Sequence, residues 1–177
     1  MLLLAQILTR LGARLCLIAL FIAGAGLVAM TVIVAWGVFG RYVLNDTPIW
    51  VEASALFLMS WFILLGAAVG VRESDHLGFE VGLALSPPPL RNGLMILTEL
   101  LVIAFGLAML VYGAQLAIGT WSDRLPIIGI SRGWDYVPIA VGGALIALFS
   151  LEKLMLFLTK AKSAPLGFTH FGSAQEV

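Results

Sequence analysis

Charge is scarce in this chain: only 11% of its 177 residues are Asp, Glu, Lys or Arg, against about a quarter in soluble domains. With 61% hydrophobic residues and a mean hydropathy of +1.06, an ordinary water-soluble enzyme is ruled out. Ten basic residues offset ten acidic ones, so no basic field exists to hold a nucleic acid and no acidic tail to solvate a disordered segment. Cysteine is nearly absent too. The single Cys16 can form no intramolecular disulfide and no Cys-rich metal site, and its apolar surroundings are those of a small packed hydrophobe. Histidine is limited to His76 and His170, both outside the apolar runs, which leaves no axial ligands for a membrane haem and no imidazole cluster for a metal. No Ser/His/Asp set or intramembrane carboxylate pair is visible. No enzyme activity, cofactor, metal or nucleic-acid partner is expected.

What the chain has is long uncharged runs: Leu15–Gly40, Ala53–Val71, Leu100–Ser122 and Tyr136–Leu151. At about 1.5 Å per residue they reach roughly 39, 28, 34 and 24 Å, comparable with a hydrocarbon core of about 30 Å. The last extends past Lys153, which can snorkel, through Leu154 to Leu158. The expected fold is an all-α integral membrane protein with four transmembrane helices, at about 15–40, 53–71, 97–122 and 136–158, followed by a tail over 161–177. The first run follows Arg10 and Arg14 as a signal peptide would, but it exceeds the usual apolar core of such peptides, about 7–15 residues, and reads as an uncleaved span.

Sidedness follows from Lys and Arg. With both termini inside, seven of the ten lie on the cytoplasmic side and three outside, the positive-inside bias. Trp36, Tyr42, Trp50, Trp121, Trp134 and Tyr136 then gather at the outer boundary as an aromatic belt, while Trp61 and Tyr112 fall within spans.

Two segments read as lying along the membrane. Over residues 1–14, Leu4, Ile7, Leu8 and Leu11 repeat at helical spacing with Arg10 and Arg14 on other faces, a cytoplasmic interfacial helix. Over 73–89, Leu77, Val81, Ala84 and Leu85 share a helical face, although Leu77, Phe79, Val81, Leu83 and Leu85 also alternate at strand period. An interfacial helix is preferred, since a lone strand beside lipid leaves backbone groups unpaired. After Pro87–Pro89, a helix continuing to Ser122 exceeds the bilayer, so its start lies at the cytoplasmic interface or the helix tilts.

The span centres lack Asp, Glu, Lys, Arg, His and Pro. A complete secondary transporter places ionisable groups and broken helices near the midplane, so this chain carries no solute or ion site of its own. A self-assembling channel would need a polar pore lining, and the spans offer only Thr31, Ser54, Ser60, Thr98, Gln115, Thr120 and Ser150. Glu52, Glu99 and Glu152 sit at span ends, where solvent or headgroup contact is the simplest role. Gly66 and Gly70 form a small-xxx-small pair, with Gly24, Gly26, Gly106, Gly113, Gly142 and Gly143 elsewhere. Small residues let helices approach in lipid, either within the chain or against another membrane protein.

The stretch from Gly40 to Leu77, GRYVLNDTPIWVEASALFLMSWFILLGAAVGVRESDHL, resembles the small (Q-type) membrane subunit of the tripartite ATP-independent periplasmic (TRAP) transporters. The matching elements are Arg41-Tyr42-Val43, Asn45, Trp50 with Glu52, Trp61, Leu65-Gly66-Ala67-Ala68, Arg72 and His76. Relatives often carry a second acidic residue after the position of Glu52 and a basic one a few positions later; here Ala53, Leu56 and Phe57 stand instead, so an ion pair at those positions does not carry over. The resemblance implies a large membrane subunit that imports an organic acid by a sodium-driven elevator motion, and a periplasmic substrate-binding protein that delivers it. It implies a scaffold role for this chain in a bacterial inner membrane. An accessory or assembly subunit of an unrelated membrane complex is the competing reading.

Under the resemblance, Arg41, Tyr42, Asn45, Trp50, Glu52, Gly66, Gly70, Arg72 and His76 are candidate contacts with the large subunit or with membrane phospholipids. Arg41 and Glu52 could pair across the first outer loop or snorkel independently; Arg72 and His76 mark the inner exit of the second span. Asp123, Arg124, Arg132 and Asp135, in the second outer loop, are candidate contacts with the periplasmic protein.

Overall fold

The computed structural model describes residues 2–46, 48–73, 88–124 and 129–163. Four long helices carry it: α1 (Leu2–Phe39), α2 (Trp50–Glu73), α3 (Pro88–Gly119) and α4 (Val137–Ser163). All four contain a window long and apolar enough to cross a membrane, as the sequence predicts. His76 and most of the 73–89 segment fall outside the described residues. So does the tail beyond Ser163.

Helix ends follow local chemistry. α1 passes into a π-helical turn, Gly40–Leu44, and the chain leaves it through Asn45 in the left-handed region, φ 52°, a conformation that Asn tolerates better than most residues. The N–H of Asp46 donates to the Gly40 carbonyl at 3.1 Å. A Cβ at Gly40 would lie 2.8 Å from the Asp46 carbonyl oxygen, so the reversal requires glycine there. Pro88 opens α3, where its missing N–H costs nothing, and Pro138 lies fully buried in the first turn of α4. Arg10 and Arg14 belong to one unbroken helix with the first span. α1, at 38 residues, is roughly 57 Å long, and α3, at 32 residues, roughly 48 Å; both exceed the hydrocarbon thickness.

The helices run alternately up and down, so the N-terminal half of α1, the end of α2, the start of α3 and the end of α4 share one end of the molecule. Packing is by neighbours in the order α1, α2, α4, α3, with only a limited contact between α1 and α4. The result is a row rather than a closed square bundle. Its core is Cys16, Ala19 and Ala23 of α1, Leu65, Ala68 and Val69 of α2, and Ile146 and Phe149 of α4. Cys16 is buried there, as its setting predicts. α3 joins through close backbone approach: a Cβ at Gly106 would lie 2.8 Å from Ala147 N and Gly143 O, and one at Gly113 would lie 2.8 Å from Ala140 N. The outside is at least as apolar as the inside. Phe21, Val28, Val32, Phe105 and Ile118 are all exposed, which water would not tolerate and lipid does.

Candidate functional site: an ion-pair clasp and two outer turns

Three helices converge at the end where α1 begins and α4 ends. Arg72 of α2 reaches Glu152 of α4 with both arms of its guanidinium, Nη2 to Oε1 at 3.2 Å and Nε to Oε2 at 3.4 Å. Only 18% of the Arg72 side chain and 7% of the Glu152 side chain are exposed. The same guanidinium lies over the Phe149 ring, 5.6 Å from its centre, and 3.9 Å from Glu73 Oε1. From α1, Cys16 Sγ donates to that Glu73 oxygen at 3.7 Å. Gly12 makes room for the carboxylate, since a Cβ there would collide with Glu152 Oε2. Glu99 of α3 is also buried. A paired, nearly dry Arg–Glu contact holds geometry because losing either partner strands the other charge.

By its position in the sequence Glu152 belongs at a span end, in contact with solvent or headgroups. The structure corrects this: its side chain is buried and paired. Arg72, expected at headgroups or on a partner, directs its guanidinium into the chain instead. The signal was faint, because the partners lie 80 positions apart and each is only one polar residue at the edge of an apolar run.

At the opposite end, the first turn brings Arg41 Nη2 to 4.0 Å from Glu52 Oε1, with 58% and 86% of the two side chains exposed. Exposed pairs at this distance contribute about 0–1 kcal/mol. Charge reversal at Arg41 is therefore expected to lower thermal stability by less than about 1 kcal/mol, and reversal of Glu52 in the same chain to restore it; a loss of several kcal/mol in a melting experiment would contradict so weak a pair. Tyr42, Asn45 and Trp50 are exposed around it. Gly37 lets α2 start close by, for a Cβ there would lie 2.6 Å from Val51 Cγ1.

The second turn is tighter. Arg132 N donates to the Asp123 carbonyl at 2.8 Å, Ser131 Oγ donates to the Trp121 carbonyl at 2.7 Å, and the Gly133 N–H donates to Ser131 Oγ at 3.2 Å. The Trp121 and Trp134 rings lie 5.9 Å apart. Gly133 is obligatory, because a Cβ would lie 2.5 Å from the Ala117 carbonyl oxygen. Asp123, Arg124 and Arg132 are exposed and Asp135 half-buried, so this end displays both signs of charge on a braced turn.

Gly66 and Gly70 differ from the glycines of the α3–α4 contact: a Cβ on either meets nothing within 4 Å. Packing among the described residues does not call for them. Among the described residues, no group of three or more His, Cys, Asp or Glu is placed to hold a metal.

The family model for the tripartite ATP-independent periplasmic transporters, DctQ component, matches residues 30–160, well over half of the chain. The chain belongs to that family. It is 29% identical over 142 residues to the sialic acid TRAP transporter small permease protein SiaQ of Vibrio cholerae, covering 78% of this chain and 82% of that protein. It is 30% identical over 114 residues to the C4-dicarboxylate TRAP transporter small permease protein DctQ of the same organism, covering 63% of this chain and 46% of that one. This TRAP small permease subunit is therefore not an enzyme, as its composition predicts. The matched residues include both ends of the clasp and both turns.

Proposed function

We propose that this TRAP small permease subunit is a scaffold: it packs on the static part of a large elevator-type membrane subunit, which imports an organic acid with sodium after delivery by a periplasmic binding protein. The observation that carries the reading is a row of four apolar spans without a charged midplane, in a chain of this family. Such a row gives a sliding partner rigid support and offers a solute no path. Sialic acid and C4-dicarboxylates, named for the two relatives, are both organic acids, which supports the substrate class.

The scaffold sits in the bacterial inner membrane with both termini cytoplasmic, as its Lys and Arg distribution favours. The clasp then lies at the cytoplasmic side and Asp123, Arg124, Arg132 and Asp135 face the periplasm, where the binding protein docks. Residues 1–14 and 73–89 anchor the scaffold at the inner interface, Gly66 and Gly70 remain open for a neighbouring helix, and Tyr42 and Trp50 meet headgroups.

Co-expression with the large polytopic protein encoded beside this chain, followed by purification through a tag on this chain in mild detergent, tests the reading. Equal co-elution and sodium-dependent uptake of an organic acid in liposomes, strictly requiring the binding protein, are expected. Elution of this chain alone beside a well-folded partner would overturn it. Removing residues 1–14 is expected to reduce uptake severalfold at equal expression; unchanged assembly and uptake would refute the anchoring role.

A further inference from the structure

α3 packs on α4 and on the turn before it, and the side turned away from α4 is bare. Leu101, Ala104, Phe105, Ala108, Tyr112 and Gln115 are all exposed, and their spacing of three, one, three, four and three puts them on one face of the helix. Two of them carry hydrogen-bonding groups. Tyr112 is 66% exposed, and neither its hydroxyl nor the Gln115 amide has a partner among the described residues. Thr31, Ser60, Thr98 and Thr120 each donate to a carbonyl three or four residues back along the chain, and the unpartnered Ser150 hydroxyl is enclosed by the chain rather than turned outward. An amide left without a partner in hydrocarbon is strongly unfavourable.

Reaching the nearer headgroups is not an easy escape. Gln115 and Tyr112 lie about 6 and 10 Å below the end of α3 at Gly119, at about 1.5 Å per residue. Helical side chains lean toward the helix N-terminus, so both polar groups lean from that end toward the membrane centre. The outer face of α1 has the opposite arrangement. Arg10 and Arg14 stand in line with exposed Leu17, Phe21 and Val28, across the helix from buried Gly12, Cys16, Ala19 and Ala23. These arginines lie near the N-terminus of α1 and lean toward it, so they extend naturally to phosphates beside an apolar stripe.

We infer that the two ends of the row have different neighbours: the bare face of α3 receives a helix of the large membrane subunit, which supplies the hydrogen-bonding group for Gln115, while the outer face of α1 lies against lipid. The inference rests on the scaffold reading and adds the surface to it. Ala104 and Ala108 allow the incoming helix to approach closely between Leu101 and Tyr112.

The test places the photo-crosslinking amino acid p-benzoylphenylalanine at Ala108 or at Val28 of this chain, co-expressed with the adjacent large subunit and illuminated in intact membranes. A small–large adduct from position 108, and none from position 28, is expected. An adduct from position 28, or from 108 only a dimer of this chain or no protein adduct, overturns the assignment. Gln115→Leu is expected to weaken co-elution with the large subunit severalfold, and Val28→Leu to leave it unchanged; equal co-elution of both would remove the role of the amide. The unsubstituted pair serves as the reference, and its failure to co-elute would sink the scaffold reading itself rather than the choice of face.

Discussion

Glu152→Ala is expected to destabilise the chain by about 3 kcal/mol, the lower end for a buried pair, because it leaves the half-buried Arg72 beside Phe149 with its principal counter-charge gone. Glu73 is no substitute: its side chain is 67% exposed, and it lies 3.9 Å away at the guanidinium's other nitrogen. The uncompensated cation would have to leave the interior, and it sits at the junction of α1, α2 and α4, so the helices should part at that end first. Thermal unfolding in detergent, followed by tryptophan fluorescence, measures the loss. The double variant Arg72→Leu with Glu152→Leu removes both charges together and should recover most of the stability, since a buried pair exchanged for apolar packing is often neutral. If Glu152→Ala melts like the unsubstituted chain, the clasp does not hold that end together. If the double variant melts no higher than the single one, shape rather than charge is what the site requires.

The contrast between spans and clasp shows what a membrane sequence displays. Four spans were legible because burial in lipid imposes a length and an absence of charge that survive in a single sequence. Which face of each span is inside was not. In water the outer face is polar and the apolar stripe identifies the core, but here Phe21 and Val28 outside are as apolar as Ile146 and Phe149 inside, so no periodicity separates them. The row order α1, α2, α4, α3 and the pairing of Arg72 with Glu152 share that cause: both depend on helix rotation. Arg41 with Glu52 was foreseeable because one short turn joins them. Gln115 stood out in the sequence as a polar residue in a span, but its outward direction required the fold.

Glycines show the same limit and lead to the second large effect. The spacing of Gly66 and Gly70 singled them out, yet a Cβ on either has open space; at Gly143, noted only among the glycines elsewhere in the spans, a Cβ would lie 2.6 Å from Gly106 O, 2.6 Å from Met109 Cβ and 2.7 Å from Leu110 N. Two of those three neighbours are backbone of α3 and cannot turn aside as a side chain would. Gly143→Leu is therefore expected to push α3 from α4, with a loss of about 3 kcal/mol, toward the upper end for overpacking. Each helix remains a stable span in lipid, so far-ultraviolet circular dichroism should hardly change while the helix pair separates. Spin labels on cysteines at exposed Leu107 of α3 and Leu151 of α4, in a Cys16→Ser background, would report this as a longer interspin distance. Gly66→Leu, made in open space, should leave that distance as it was. An equal effect of Gly66→Leu and Gly143→Leu would show that chain flexibility, not the α3–α4 approach, is at issue. Because the proposed partner surface lies on α3 and is held to the row through α4, Gly143→Leu should also reduce co-elution with the large subunit without touching the surface itself.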